Sequence, residues 1–292
     1  MATLWEICER SFFPRKLELG PETRKQYRYA LDDFGRVLGR QPEESDLTDD
    51  ALLLWMRAML DRRPPLSPWT INERVARVKC LWTWMGKRGL IRTFPTVPRL
   101  ACPEPTPRAW TAEELARLFA AADLEGGLIG PVPARLWWQA RLCFHWFTGE
   151  RYGAVKALRQ DWCDLERGVC TIPANVRKGR RKPATYHLPP PLIAALRSIW
   201  QPPRELVFPW PLSDCAYWLR WNRILRHAGL PPGRRSKTQA LRISHATHRQ
   251  QQGDDPTKAL MPSDPATTLR FYLDASFDPP PRPLFDPRQG TG

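Results

Sequence analysis

The sequence lacks long apolar runs, paired cysteines and an excess of acidic residues. No uninterrupted apolar stretch is long enough to span a membrane, and the first ten residues, MATLWEICER, carry charges where a signal peptide would be apolar. The seven cysteines are scattered singly without a CxxC pair, which argues against a disulfide framework or a zinc site. We therefore expect reduced thiols and a cytoplasmic protein.

Basic residues dominate the charge balance. The 292 residues include 45 lysines and arginines against 30 aspartates and glutamates, which gives a formal net charge of +15. The simplest physical partner of such an excess is a polyanion, most often nucleic acid. The alternative is a soluble surface that happens to be basic.

The first 92 residues are predicted to form a helical bundle. Between Pro21 and Gly39, apolar residues recur at three- and four-residue spacing, as on one face of a helix, and the glycine ends the pattern. Ser67 and Pro68 are typical of an N-cap followed by proline at the first helical position. The helix that they open is amphipathic and has one basic side, with Arg74, Arg77, Lys79, Lys87 and Arg88.

A segment rich in proline, residues 93–107, is predicted to link this bundle to a second domain at 108–275. Thr111 and Glu114 form a capping box for the first helix of that domain, and a helix that is apolar nearly all round follows it. Two short β-like pieces, GVCTIPA and ATYHLPP, flank the basic turn VRKGRRKP. The pattern predicts a mainly α fold with a small β-sheet, followed by a proline-rich tail at 276–292.

Four short strings of the second domain occur in an informative order. They are TGERYGAVKALRQDW with Arg151, VRKGRRKP with Lys178, QALRISHATH with Arg242 and TTLRFY with Tyr272. In order and spacing they resemble the boxes of the tyrosine recombinase (phage integrase) family. The N-terminal strings ETRKQYRYALDDF and SPWTINERVARVKCLWTW resemble its helical core-binding domain, so that the resemblance spans roughly residues 5 to 275. It implies a SAM-like helical core-binding domain followed by a tyrosine-recombinase catalytic domain.

The resemblance also implies a chemistry that needs neither metal nor cofactor. Tyr272 would attack a DNA phosphate and remain attached as a 3′-phosphotyrosine, which keeps the bond energy for rejoining. Arg151 and Arg242 would hold the phosphate oxygens, because a planar guanidinium can contact two of them at once. Lys178 would give a proton to the leaving 5′ oxygen, with Lys182 as the alternative, or would only contact phosphate as part of a basic turn. The histidines His245 and His248 are expected to be packing or capping residues.

Several positions depart from the family pattern. Gln239 replaces a histidine three residues before Arg242, and an amide cannot shuttle a proton. Pro262 stands where the family has a hydrogen-bonding histidine or tryptophan, and Ala154 replaces an acidic residue. Counted along the last box, the usual register places Phe271 at the nucleophile position, one residue before Tyr272. A one-residue shift on a helix turns a side chain by about 100°, unless the last helix begins one residue later than in relatives.

Two functions follow from the resemblance. One is a site-specific recombinase or integrase that cuts and rejoins double-stranded DNA through Tyr272. The other is a catalytically degenerate DNA-binding protein with the same fold. A basic helical adaptor without a nucleic-acid role is the third alternative. The family would imply a nucleoid-associated monomer that assembles into a dimer or tetramer on DNA, with phosphate contacts from Arg74, Arg77, Lys79, Arg177, Arg180, Arg181 and Lys182.

Overall fold

A computed structural model describes residues 2–17, 19–104, 106–177, 179, 182–202, 204–233, 237–260 and 266–277. The chain divides into two units, Met1–Glu104 (unit 1) and Pro105–Gly292 (unit 2). The division falls within the segment 93–107. Among the described residues, no helix has the length and apolar character needed to cross a membrane.

Unit 1 is a helical bundle. Its helices are α1 (Leu4–Ile7), α2 (Pro21–Leu38), α3 (Asp49–Leu60) and α4 (Pro68–Lys87). Ser67 caps α4 by accepting a hydrogen bond from the Thr70 N–H, and Gly39 ends α2 in the left-handed conformation. The core is built from large apolar side chains of all four helices, among them Leu4, Phe34, Trp55 and Trp82.

The proline-rich segment does not run free between the units. Val97 is buried in the core of unit 1. Asn72 of α4 donates to the Leu100 carbonyl and accepts from the Leu100 N–H, both at 2.9 Å. The Trp82 indole donates to the Thr93 carbonyl at 2.9 Å. Hydrogen bonds therefore hold residues 93–100, which the sequence assigns to the linker, on the surface of α4.

Unit 2 combines helices with small antiparallel sheets, as the sequence predicts for its fold class. Its helices are α5 (Ala112–Asp123), α6 (Ala134–Thr148), α7 (Tyr152–Lys156), α8 (Pro190–Arg197), α9 (Asp214–His227), α10 (Gln239–Gln251), α11 (Pro256–Leu260) and α12 (Ala266–Phe271). Strands β1 (Leu128–Ile129) and β2 (Val132–Pro133) pair with each other. Strands β3 (Cys163–Asp164), β4 (Val169–Ile172) and β5 (Ala184–His187) form a sheet in the order β3-β4-β5.

Helix α6 is the centre of unit 2. It contributes Trp137, Trp138, Leu142 and Phe144 to the core, and all four are essentially inaccessible to solvent. A helix that is apolar nearly all round must be covered on every side, and α5, α8 and α10 all pack against it. The C-terminal end of this buried helix, at Thr148 and Gly149, therefore lies in the interior of the unit.

One buried carboxylate organises the polar interior of unit 1. Asp33 on α2 is 2% exposed and accepts hydrogen bonds from the Trp55 indole at 3.1 Å and from the guanidiniums of Arg62 and Arg74 at 2.7 Å. Burial opposes ionisation, but the hydrogen bonds from Arg62 and Trp55 and the charge of Arg74 hold the pKa of Asp33 below its usual value. Asp33 thus joins α2, α3, α4 and the connection between α3 and α4.

We expect Asp33→Asn to destabilise unit 1 by about 3 kcal/mol, because removing one partner of a buried ion pair leaves cations without a counter-charge. The stabilisation belongs to the ionised carboxylate. It should be present above the ordinary aspartate pKa of about 3.9 and disappear as the pH falls through the lowered folded-state value. Urea unfolding followed by circular dichroism between pH 7 and pH 2.5, fitted with one transition for each unit, measures both effects.

Asp32→Asn on the same helix is the matched control. Asp32 pairs with Arg28 at a partly exposed site, and such pairs contribute less than about 1 kcal/mol. Equal losses of unfolding free energy in the two variants would show that burial of the Asp33 network contributes nothing.

Candidate active site

The turn after α6 brings Arg151 to the site. Gly149 has φ of +60° and ends α6 in the left-handed conformation. A Cβ at this position would lie 2.7 Å from a ring carbon of His245 and 2.8 Å from a methyl carbon of Leu260. Both the backbone conformation and the space therefore require glycine. Arg151 follows as the N-cap of α7 and is only partly exposed.

Arg242 lies at the centre of the site and is 1% exposed. Its Nη1 donates to the Gly149 carbonyl at 2.5 Å, and its Nη2 donates to the Leu260 carbonyl at 3.1 Å. Its Nε is buried and has no hydrogen-bond partner among the residues that the structure describes. Burial and the neighbouring charge of Arg151 lower the pKa of Arg242. Two of the five N–H donors of the guanidinium are thus held by backbone carbonyls.

Tyr272 packs directly on this guanidinium. The Arg242 guanidinium carbon is 4.8 Å from the centroid of the Tyr272 ring, and the tyrosine is 6% exposed. Burial favours the neutral phenol, but the charges of Arg242 and Arg151 and hydrogen bonds from the side chains of Gln239 and Arg151 lower the pKa of Tyr272 below its usual value. The surroundings therefore favour the phenolate, which is the nucleophilic form.

The two neighbouring aromatic residues have different surroundings. Helix α12 ends at Phe271, and the Tyr272 N–H still donates to the Thr268 carbonyl at 3.0 Å. Tyr272 contacts Arg242, whereas Phe271 packs with Ile243 and Leu273 around a small cluster of Ala246, Leu260 and Tyr272. Of the two registers that the sequence leaves open, the structure has the one that brings the phenol to the arginines.

Gln239, the altered motif position, belongs to the same group of residues. It begins α10, one turn before Arg242, so both side chains lie on the same face of the helix. Its side chain is one of the groups that lower the pKa of Tyr272. An amide cannot exchange protons as a histidine can, but it can donate a hydrogen bond to a phenolate oxygen.

An aspartate anchors the segment that carries Tyr272. Asp274 accepts hydrogen bonds from the Ala109 N–H at 2.7 Å and from Ser276, and its own N–H donates to Thr247 at 3.1 Å. Thr247 lies on α10, and Ala109 lies just before α5. The segment after α12 is therefore held against unit 2 of the same chain.

Glu150 is a buried carboxylate close to Arg151 and Arg242. It is 1% exposed and accepts hydrogen bonds from the Arg151 N–H at 2.7 Å, from Arg177 Nε at 2.8 Å and from the Tyr186 hydroxyl at 2.7 Å. Burial opposes its ionisation, but these partners and the charge of Arg242 keep the pKa of Glu150 below its usual value. No sequence motif identified Glu150 as a site residue. Its one local signal is an acidic residue between the end of an apolar helix and an arginine.

The histidines of α6 and α10 are packing residues in the structure. His245 Nδ1 lies 2.6 Å from the Trp146 carbonyl, and His248 Nε2 lies 2.9 Å from the Trp110 carbonyl. Burial lowers the pKa of His245 to about 4 and that of His145 to about 3. His145 and His245 therefore stay neutral at physiological pH.

Arg177, one of the predicted DNA contacts, has a partner within unit 2. Its side chain is 6% exposed and forms an ion pair with Glu150, so its charge is offset by a carboxylate within the unit. Lys182 is exposed. The predictions for Lys178, Arg180, Arg181 and Pro262 concern positions outside the described residues.

On α4 the three cations predicted to contact DNA are engaged within unit 1. Arg74 pairs with Asp33 at 2.7 Å, Arg77 pairs with Glu73 at 3.0 Å, and Lys79 donates to the Val97 carbonyl. These contacts reduce their freedom to bind phosphate, a difference that the sequence pattern does not reveal.

A concave surface on unit 1 gathers other cations. It encloses about 400 Å³ beside α4, and its lining combines apolar side chains such as Val75 and Trp84 with the cations Lys16, Lys79, Lys87 and Arg99. Lys16, Lys87 and Arg99 are exposed. The sequence analysis did not assign Lys16 or Arg99 to DNA binding, because they are separated from α4 along the chain. We name these four residues the cationic cavity.

Comparisons with known proteins were made over the whole chain. No protein-family profile matches it. The tyrosine recombinase XerC of Roseiflexus castenholzii is 33% identical over 154 residues, 51% of this chain and 46% of the relative. The tyrosine recombinase XerC of Xanthomonas campestris is 29% identical over 143 residues, 48% of this chain and 41% of the relative. The chain thus spans less than half the length of the curated relatives that it matches.

Solved structures resemble the chain over most of its length. The Tn1549 transposon integrase in complex with transposon right end DNA aligns with a TM-score of 0.72 and 14% identity, covering 94% of this chain and 96% of the integrase. A lambda integrase dimer bound to a COC′ core site aligns with a TM-score of 0.73 and 14% identity, covering 97% of this chain and 81% of that chain. At these identities the likeness concerns the fold. The sequence matches and the likeness of fold both point to the tyrosine recombinase (integrase) family as what this chain resembles.

Proposed function

We propose that the protein is a site-specific DNA recombinase whose nucleophile is Tyr272. The observation that carries the proposal is the convergence of the Tyr272 phenol, Arg151 and Arg242 in one buried group. A phenol whose pKa is lowered by two guanidiniums suits attack on a phosphodiester, because the same cations neutralise the charge that builds up on the phosphate.

In the proposed step, the Tyr272 phenol gives its proton to solvent water and its oxygen attacks the DNA phosphorus. The new bond joins the tyrosine oxygen to phosphorus, and the bond between phosphorus and the 5′ oxygen breaks. Arg151 and Arg242 would bind the non-bridging oxygens. The 5′ oxygen takes a proton, for which Lys178 remains the proposed donor, with Lys182 as the alternative. Rejoining reverses these events with a new 5′ hydroxyl.

Double-stranded DNA is the proposed substrate. The net charge of +15 and the cationic cavity of unit 1 support it. The solved relatives with this fold include an integrase complexed with transposon DNA and a lambda integrase dimer on a core site. By analogy, we propose that the chain assembles into a dimer or tetramer on its DNA.

A catalytically degenerate DNA-binding protein is the alternative function. The observation that favours it is the replacement of a histidine by Gln239, which cannot move a proton. The effect of Gln239 on the phenol supports the enzyme instead, because its side chain still helps to lower the pKa of Tyr272.

Adduct formation separates the two functions. We expect the wild-type chain to form a covalent complex that survives denaturing electrophoresis on nicked duplexes drawn from a pool with a randomised core. Sequencing the attached DNA identifies the site. Tyr272→Phe should form no detectable adduct, because no phenol oxygen remains to attack phosphorus.

Phe271→Leu is the control for the neighbouring position and should retain adduct formation. A Tyr272→Phe adduct of undiminished yield would assign the nucleophile to another residue. A wild-type chain that binds these duplexes but forms no adduct would favour the degenerate protein.

Gln239→Leu should slow adduct formation about tenfold near pH 7.5, since a hydrogen bond to a charged group contributes about 1.5 kcal/mol or more. The amide lowers the pKa of Tyr272, so its loss raises that pKa and reduces the phenolate fraction at a given pH. Single-turnover rates measured from pH 6 to pH 10 should therefore rise to a plateau in both proteins. The variant should reach its plateau at a higher pH than the wild type.

Gln26→Leu, at an exposed position on α2, should leave the pH profile unchanged. Superimposable profiles for wild type and Gln239→Leu would show that the amide does not act on the phenol.

DNA affinity should depend steeply on salt, and the cationic cavity should account for part of that dependence. We expect Lys87→Gln and Arg99→Gln each to reduce the slope of log affinity against log salt by about 0.9 if each contacts one phosphate. Fluorescence anisotropy with a labelled duplex between about 50 and 300 mM salt measures the slope.

Lys25→Gln is the control, because Lys25 lies outside the cavity and pairs with Glu22 on the surface. This variant should leave the slope unchanged. If all three variants showed the wild-type slope, the cationic cavity would not be part of the DNA interface.

A further inference from the structure

Glu150 has more partners than the proposed chemistry requires. The carboxylate is 1% exposed and accepts three hydrogen bonds, from the Arg151 N–H, Arg177 and Tyr186. A buried charge is retained only where its partners offset the loss of hydration. Its position beside Arg151 suggests a role connected with the site.

The partners of Glu150 lie on both limbs of the β4–β5 hairpin. Arg177 follows β4 after a short turn at Ala174–Val176, and Tyr186 lies within β5 opposite Cys170. Arg177 Nη1 also donates to the Lys182 carbonyl at 3.3 Å, which links the two ends of the basic turn. One carboxylate oxygen, Oε2, accepts from both Arg177 and Tyr186. Glu150 thus bonds both sides of the hairpin next to the basic turn.

The other carboxylate oxygen is bonded to the turn that carries Arg151. Oε1 accepts from the Arg151 N–H at 2.7 Å, and Glu150 and Arg151 are adjacent in the chain. Because the two oxygens of one rigid group bond the Arg151 backbone and the hairpin, the distance between these two parts is set by the carboxylate. Moving the hairpin by about 1 Å would require breaking at least one of these buried hydrogen bonds.

We propose that Glu150 is a positioning residue that fixes the β4–β5 hairpin relative to Arg151. This inference rests on the proposed function, in which a lysine of the hairpin turn protonates the leaving 5′ oxygen. Proton transfer needs donor and acceptor about 2.6–3.2 Å apart. A misplacement of about 1 Å can cost about 10²-fold in rate. Glu150 itself touches neither phosphate nor leaving group.

A substrate that does not need the proton tests the proposal. In a duplex with sulfur in place of the bridging 5′ oxygen, the departing thiolate is stable without protonation, so a defect confined to proton donation disappears. We expect Glu150→Gln to form adduct about 10²-fold more slowly than wild type on the oxygen substrate. On the sulfur substrate, the two rates should agree within about threefold, the scatter expected of context effects away from the donor.

Tyr186→Phe is a second variant that tests the proposal if Glu150→Gln does not fold. It removes one hydroxyl group and keeps the Glu150–Arg177 ion pair. It should show a smaller loss, again only on the oxygen substrate. Glu166→Gln is the matched control, because Glu166 forms an exposed ion pair with Arg197 in the same unit. It should behave as wild type on both substrates.

The possible outcomes distinguish the inference from the function on which it rests. Equal slowing of Glu150→Gln on both substrates would overturn the proposal, since the defect would then lie in phosphate binding or in folding. Wild-type rates for Glu150→Gln on the oxygen substrate would overturn it as well. A wild-type chain that forms no adduct with either substrate overturns the proposed function and this inference with it.

Discussion

The site depends on the burial of one guanidinium. Removing Arg242 from water costs several kcal/mol unless its N–H groups find acceptors, and the structure supplies the carbonyls of Gly149 and Leu260. These acceptors belong to the end of α6 and to α11, 93 and 18 positions away along the chain. The requirement to satisfy one cation therefore fixes the relative placement of three helices, and Tyr272 packs on the face that remains.

The charge balance around this guanidinium favours an anion. Among the described residues at the site, Arg151, Arg177 and Arg242 surround the carboxylate of Glu150. One negative charge among three positive charges leaves an excess that a phosphate can neutralise. The same excess lowers the pKa of Tyr272, so one electrostatic arrangement serves both the proposed nucleophile and the proposed substrate.

The sequence predicts what depends on local pattern. The helix at Ala112–Asp123 begins where Thr111 and Glu114 form a capping box, and the sheet contains the predicted strands around GVCTIPA and ATYHLPP. The fold class was predictable because amphipathic periodicity and turn residues are local properties. The order of the motifs indicated Arg151, Arg242 and Tyr272 as candidates, and the structure brings these three side chains together.

What the sequence could not predict depends on partners far along the chain. The surroundings of Glu150 could not be inferred, since Arg177 and Tyr186 lie 27 and 36 positions away. Arg74 looked like a surface cation, but its partner Asp33 is 41 positions earlier. The choice between Phe271 and Tyr272 required the docking of α12, because helical periodicity alone does not fix where a short helix begins. The roles predicted for Lys178, Arg180, Arg181 and Pro262 remain predictions.

The hydrogen bond between Asp274 and Ala109 has a consequence for the order of folding. It joins residues 165 positions apart, so its formation closes a loop that includes nearly all of unit 2. Closure of so long a loop carries a large entropic cost, and contacts of this kind form late on the folding pathway. During synthesis, a chain that has not yet reached residues 266–277 can fold α5 and α6 and bury their apolar faces. It cannot assemble the phenol with its two arginines, so the complete site exists only in a finished molecule.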